Sequence, residues 1–349
     1  MSKWRQFNRK YQIRYRAEYV VAVVLVYGMR ALSPRFAWNL MRGVGRLMYR
    51  MGVRKKVVDD NLDIAFPDKS PEERKRIALA MMDHFSSLII DVLFQRRMLT
   101  PSTYQRRVHI SGWMKEYLDQ HGLEGLQRRA HGVLFLTGHV GNWEVMPGIF
   151  KMMGVSITPI YRRPSNPFVD KLLRDIRLGQ STEVVERRGA VAQMIERFEA
   201  GGNVGILFDQ EAIYGLQVPF FGRYATCHKT PAALVRDHGV KVALGATLRR
   251  GDMQYETIGR LLNYEEFKTD DRDADLKAIT ADLMQRLEEL IREEPEQYFW
   301  LHRRWGKRGP PIKVPPKGAP APKVEAGGES TRSSETSSRS TGPKVARKK

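Results

Sequence analysis

Val133-Leu134-Phe135-Leu136-Thr137-Gly138-His139-Val140-Gly141-Asn142-Trp143-Glu144 reads as a strand, a tight turn and the opening of a helix. The run Val133–Thr137 is apolar without alternation, which suits a strand buried on both faces. Gly138 and Gly141 give the backbone the freedom a sharp reversal needs. Asn142 is a capping residue, and the spacing predicts a helix over 143–153 with Glu144 in its first turn.

The same alternation continues along the chain. Short apolar runs at 155–160, 183–185, 204–208 and 242–248 are separated by helical stretches at 166–178, 189–200, 229–238 and 273–293. Strand–helix alternation of this kind predicts an α/β fold with a mostly parallel central sheet flanked by helices. Pro159 marks a strand end. Upstream, Ser70-Pro71-Glu72-Glu73 is a capping box with proline at the first helical position, opening a long helix to about residue 95. Ile77, Met81, Phe85, Leu88 and Val92 lie on one face of that helix, so it reads as scaffold.

The two ends of the chain differ from the middle. Of a net charge of +20 over 349 residues, residues 1–60 carry +11 and residues 307–349 carry +8, leaving +1 for the body between them. A nucleic-acid enzyme more often carries its basic surface on the folded body. Basic ends on a neutral body suit an anionic membrane surface. Tyr19 to Met29 is an apolar run behind a basic, aromatic start, and it falls short of the roughly 20 residues that span a bilayer. Pro34 directly after Ala31-Leu32-Ser33 disfavours a cleavage site, so the run reads as a retained anchor. Phe36, Leu40, Val44, Leu47, Met48 and Met51 then recur at helical spacing, with Arg42, Arg46 and Arg50 between them, the pattern of a helix lying in a membrane surface. Beyond Gly309 the chain is rich in Pro, Gly, Ser and Lys and is expected to be disordered. The expected organisation is an N-terminal membrane-associated helical region over 1–52, an α/β domain over 53–308 and a basic tail over 309–349. One cysteine, Cys227, excludes an internal disulfide framework and a cysteine-based zinc site.

His139 is the leading site candidate, because sites in open α/β sheets gather at the carboxyl ends of parallel strands. His139 and Glu144 are five residues apart, too far round to share one helix face, but they meet across a strand–turn–helix junction. A carboxylate on one imidazole nitrogen fixes the tautomer and stabilises the imidazolium formed when the other nitrogen takes a proton. No serine or cysteine stands beside His139, so the proton comes from a hydroxyl that the substrate supplies. Spacing alone does not separate such a base from a structural histidine at a strand end. No second histidine lies at zinc-ligand spacing, and the reading calls for no metal and no cofactor.

His139-Val140-Gly141-Asn142-Trp143-Glu144 resembles the His-x4-Asp/Glu motif of glycerolipid acyltransferases, and in its Gly-Asn-Trp-Glu form the bacterial lipid A late acyltransferases and their mycobacterial mannoside-acylating relatives. Asn61 to Pro67, Tyr161-Arg162-Arg163-Pro164, Asp209-Gln210 with Val218-Pro219-Phe220-Phe221-Gly222, and Pro295 to Trp305 resemble further blocks of that family, in order. The resemblance implies transfer of an acyl chain from an acyl carrier protein or coenzyme A thioester to a hydroxyl of a lipid A precursor, at the cytoplasmic face of the inner membrane. It implies His139 as general base and Glu144 as its partner. Arg162, Arg177 and the backbone N–H groups at Gly141 and Asn142 are the candidates for an oxyanion or a lipid phosphate. Asp209 and Gln210 are supporting residues near the site. His302, Arg303 and Arg304 read as structural, or as contacts to the donor or a phosphate. Two other acyl acceptors stay open, another glycolipid or a lysophospholipid, as does a hydrolase that uses water. A nucleic-acid-binding protein is the remote alternative, disfavoured by the neutral body.

Overall fold

The computed structural model describes residues 3–121, 132–161, 163–177, 185–186 and 189–306. The expected basic tail over 309–349 lies outside the described residues. Helices α1 (Lys3–Ala31), α2 (Pro34–Arg50), α3 (Lys55–Ala65), α4 (Pro71–Met98), α5 (Tyr104–Arg107) and α6 (Gly112–His121) come first, with strand β1 (Val108–Ile110) among them. β2 (Val133–Thr137), α7 (Met146–Met152), β3 (Ile157–Tyr161), α8 (Pro167–Arg177), β4 (Val185–Glu186), α9 (Ala190–Glu199) and β5 (Asn203–Leu207) follow. β6 (Leu216–Phe220), β7 (Arg223–Cys227), α10 (Thr230–His238), β8 (Lys241–Gly251), β9 (Gln254–Leu262) and α11 (Arg272–Glu293) complete the body.

The sheet runs β1-β9-β8-β2-β5-β3-β4. Strands β8, β2, β5, β3 and β4 are mutually parallel. β9 turns back antiparallel to β8 and carries β1 alongside it. The chain is thus an α/β protein with a mostly parallel sheet, as the alternation predicts. Every residue of β2 is buried, which explains its unbroken apolar run. Among the described residues, β6 and β7 pair only with each other, as an antiparallel hairpin.

Helix α7 departs from the sequence expectation. It opens at Met146, not at Trp143, and residues 143–145 form a turn. Pro147 is the cause. A proline inside a helix removes a bond to the preceding turn, whereas in the first turn its missing N–H costs nothing. Asn142 still bonds ahead, its Oδ1 accepting from the Val145 N–H at 3.3 Å.

Helix α4 is the spine of the body. Its capping box is formed, with Glu73 N–H on the Ser70 hydroxyl and Ser70 N–H on the Glu73 carboxylate. Among the described helices it is the one long and apolar enough to cross a membrane, but most of it is buried in the protein core. Helix α2 packs along it so closely that a Cβ on Gly45 would lie 2.2 Å from the Ser86 hydroxyl. Ala37, Trp38 and Tyr49 share that buried face. The apolar stripe read from sequence is therefore the outward face: Phe36, Leu40, Val44, Leu47, Met48 and Met51 are all exposed. Two of the three arginines expected beside the stripe are tied to the body instead. Arg42 bonds the Ser87 hydroxyl and Asp252, and Arg46 pairs with Asp83. Helix α1 is held to the body as well, by Asn166 Nδ2 on the Tyr15 carbonyl at 2.9 Å and by Arg30 on the Leu93 carbonyl at 3.1 Å.

Candidate active site

His139 stands two residues beyond the end of β2, and Asp209 stands two residues beyond the end of β5. The parallel register pairs Thr137 with Leu207, so the two side chains come opposite each other at the carboxyl edge of the sheet. The ladder extends by one more bond, from the Phe208 N–H to the Thr137 carbonyl at 3.1 Å. Asp209 then grips His139 twice. Its Oδ2 accepts the His139 backbone N–H at 2.9 Å, and its Oδ1 lies 2.7 Å from the ring Nδ1. The sequence reading placed Glu144 as the ring's partner; the nitrogen Nδ1 is bonded to Asp209. The reason is topological. Adjacent parallel strands bring residues 70 apart in sequence into register, a relation that local spacing does not contain. Glu144 acts on the ring through its charge.

The loop after His139 is fastened to the segment Gln297–Phe299 by three contacts. Val140 bridges Tyr298, the Gly141 N–H donates to the Gln297 carbonyl at 3.0 Å, and the Phe299 N–H donates to the His139 carbonyl at 2.9 Å. The Asn142 N–H donates to the Thr247 carbonyl of β8 at 2.6 Å. Both N–H groups proposed as oxyanion donors are therefore engaged within the protein, and neither faces an incoming substrate. Gly141 has φ +64°, and a Cβ there would lie 2.3 Å from the Thr247 carbonyl oxygen, so only glycine fits. From α4, the buried His84 bonds the Gly141 carbonyl through Nε2 at 3.0 Å. Burial pushes the His84 imidazole down to about 4, so the ring is neutral and Nε2–H donates.

A second buried carboxylate, Asp91 of α4, holds the same loop from behind. It accepts from Asn142 Nδ2 at 3.2 Å, Trp38 Nε1 at 2.8 Å, the Tyr255 hydroxyl at 2.8 Å and Arg249 Nε at 3.0 Å. This one group joins α2, α4, β8, β9 and the His139 loop. Asn142 is itself fully buried, so its side chain serves the loop and not a ligand. Neither Asp91 nor His84 stood out in the sequence. The signal available was a charged and a titratable residue on the otherwise apolar side of a long core helix.

Around the ring the walls are aromatic. Trp143 meets His139 edge-on at 5.0 Å between centroids, and Phe299 and His302 lie at 5.9 and 6.1 Å. The His139 side chain is only 12% exposed. Burial pulls its titration down, but the Asp209 carboxylate on Nδ1 outweighs this, Glu144 adds to it, and the ring's affinity for a proton is raised. Burial likewise works against a charged Asp209, yet the His139 and His302 rings and the bonds from His139 hold its carboxyl well below the usual range. His302 is pushed down to about 4 by burial, so its ring is neutral near pH 7 and charged only in the acid range where Asp209 itself titrates. At the open side, Gln210 is exposed, and its amide Nε2 lies 3.3 Å from His139 Nε2.

The remaining candidates separate cleanly. Arg162 and the Arg177 side chain lie outside the described residues. Arg304 is fully buried against the Thr226 carbonyl, Cys227 and the Phe220 ring, so it is structural and not a phosphate ligand. Burial raises the Cys227 thiol, which keeps it protonated. Asn61 of α3 clamps the closing segment by donating to the Trp300 and His302 carbonyls, both at 2.7 Å.

The arrangement is an imidazole whose tautomer is fixed by a buried carboxylate, with its second nitrogen facing the open side. Comparison with known proteins gives this geometry a context. The family model described as "Bacterial lipid A biosynthesis acyltransferase" matches residues 5–307. The chain is 27% identical over 291 residues to a lipid A biosynthesis lauroyltransferase of Escherichia coli, covering 81% of this chain and 87% of that protein. It is 26% identical over 276 residues to the E. coli lipid A biosynthesis palmitoleoyltransferase, covering 73% of this chain and 79% of that protein. Among solved structures, the 1-acyl-sn-glycerophosphate acyltransferase of Thermotoga maritima overlaps 72% of this chain and 97% of its own, at 12% identity and a TM-score of 0.30.

Proposed function

The chain belongs to the bacterial lipid A biosynthesis acyltransferase family, and from that premise we propose that His139 activates a hydroxyl of a lipid A precursor for attack on an acyl thioester. The observation that carries this reading is the 2.7 Å contact between Asp209 and His139 Nδ1 at the carboxyl edge of the sheet. Asp209 keeps a proton on Nδ1, which leaves the Nε2 lone pair to receive the acceptor's proton. The acceptor oxygen then bonds to the thioester carbonyl carbon, and the carbonyl π pair becomes an oxyanion. As that intermediate collapses, the carbon–sulfur bond breaks and His139 returns its proton to the departing thiolate. Asp209 and Glu144 both favour the imidazolium that exists between those two transfers. The aromatic walls lower the local dielectric and strengthen each of these charges.

The donor in this reading is an acyl carrier protein or coenzyme A thioester, made in the cytosol, so the site works at the cytoplasmic face of the inner membrane. The exposed stripe on α2 (Pro34–Arg50) and the exposed Val20, Val21, Val24 and Leu25 of α1 (Lys3–Ala31) support membrane contact. Arg50, exposed at the end of α2, suits an anionic surface.

The test is lipid mass spectrometry on a deletion strain complemented with wild type, His139→Ala, Asp209→Asn or Glu144→Ala. Wild type restores a secondary acyl chain on lipid A, and the three variants do not. Restoration of that chain by His139→Ala overturns the mechanism. Loss of an acyl chain from a different lipid moves the function to another acceptor.

A further inference from the structure

The orientation of His139 leaves one nitrogen for chemistry, and Gln210 already lies on it. With Nδ1 bonded to Asp209, the neutral ring offers Nε2 as an acceptor, and the Gln210 amide Nε2 lies 3.3 Å away. An amide N–H and an alcohol O–H are both neutral donors. Gln210 therefore sits where the acceptor hydroxyl must place its proton. The contact is at the long end of hydrogen-bond range, and Gln210 is exposed, so an incoming hydroxyl displaces it readily. The displaced amide does not travel far. Its backbone follows directly on Asp209, which is fully buried and fixed by two bonds to His139.

The reaction needs a donor at that place. The oxyanion forms on the carbonyl oxygen of the carbon that is attacked, two bonds beyond the hydroxyl oxygen seated on Nε2. The Gly141 and Asn142 N–H groups donate to the Gln297 and Thr247 carbonyls and face elsewhere. Building on the His139 mechanism proposed above, we propose that Gln210 is a catalytic residue: its amide holds the acceptor position in the resting site and, once displaced by the hydroxyl, donates its N–H to the thioester oxyanion. The step moves no further proton. The hydroxyl proton goes to His139 Nε2, the new carbon–oxygen bond forms, and the negative charge on the former carbonyl oxygen is met by the Gln210 amide until the carbon–sulfur bond breaks.

The proposal makes Gln210 matter to kcat and to the fate of the thioester, whichever nucleophile attacks. Removal of one oxyanion donor costs about 10²-fold or more in kcat. The experiment uses full-length protein in detergent with a lauroyl thioester, in the wild type, Gln210→Ala, Gln210→Glu and His139→Ala. Transfer to a lipid A precursor and release of free thiol in the acceptor's absence are both followed. Gln210→Ala is expected to lower kcat for both reactions by about 10²-fold, with KM for the thioester within about two-fold. Gln210→Glu keeps the shape, loses the donor and sets a carboxylate on Nε2. It is expected to lose as much kcat, and to shift the acid limb of kcat/KM to higher pH, because the ring then keeps its proton longer. Melting temperatures matching wild type are expected, since the side chain is exposed. Wild-type kcat in Gln210→Ala, or a loss confined to the acceptor KM, overturns the proposal. Activity in His139→Ala defeats the His139 reading itself, and is read separately from either Gln210 variant.

Discussion

Asp209 and Asp91 are both fully buried, and both hold the loop that carries His139, yet their carboxyls shift in opposite directions. Asp209 is held below the ordinary range against its own burial, chiefly by the His139 ring beside it. Asp91 is raised by burial, against the pull of Arg249 and of the hydroxyl and indole donors around it. Burial is the largest influence on both, outweighed at Asp209 and not at Asp91, and their partners differ in kind. Asp209 faces an imidazole, which gains and loses a proton in the working pH range. Asp91 faces a guanidinium that never loses its proton, and neutral donors that do not titrate there. Two carboxylates of equal burial, against one loop, therefore have unlike settings: one faces a ring that can titrate, the other joins five elements of the fold.

Substitutions at the two positions should part company. Asp209→Asn keeps the shape but no longer requires the proton to sit on Nδ1. The expected result is a fall in kcat of about 10⁴-fold with a melting temperature near wild type, measured on purified protein. Asp91→Ala leaves Arg249 buried without its carboxylate, and the expected result is a loss of about 3–5 kcal/mol of stability in denaturant unfolding. Gly141→Ala strains the loop between the two sites, through its positive φ and the Thr247 carbonyl. A loss of about 1–3 kcal/mol is expected in the same unfolding measurement, together with weaker activity, because His139 moves with the loop. The smallest change is Trp38→Phe, which removes one of the donors to Asp91. It should cost about 1 kcal/mol and leave kcat within a few-fold of wild type. Equal behaviour of Asp209→Asn and Asp91→Ala in rate and stability would erase the distinction.

Those parts of the fold that repeat a local period were legible in the sequence. The apolar runs of β2, β5 and β8, the helices α8 to α11 and the capping box of α4 each carry their own signal. β9 carries a weaker one: Gln254-Tyr255-Glu256-Thr257 alternates polar and apolar residues, as a strand with one buried face does, but the run is short. The β6–β7 hairpin (Leu216–Phe220 and Arg223–Cys227) hides because Pro219 sits inside one strand and, among the described residues, its pairing is internal. The late start of α7 was visible as Pro147, whose position marks a first turn.

The site divides the same way. His139 was found because it follows a strong strand signal, and the apolar stripe of α2 was found because it is periodic. Asp209 is among the supporting residues that the resemblance implies, but its place on His139 Nδ1 is not local information, since it reaches the ring through the register of two parallel strands. The Asp91 and His84 contacts depend on how α4 crosses behind the loop, which is a tertiary fact. Local pattern located the histidine, and the sheet supplied its carboxylate.

The most direct test of that pairing is the pH dependence of kcat/KM for acyl transfer in wild type and Asp209→Asn. A general base works only when deprotonated, so activity falls as pH drops through its folded titration. The Asp209 carboxylate raises the affinity of His139 for a proton, so in wild type that fall should begin above the range of an ordinary histidine. In Asp209→Asn the limb should move to lower pH while the plateau drops about 10⁴-fold. A variant with an unmoved limb and a plateau within about ten-fold of wild type would contradict the account.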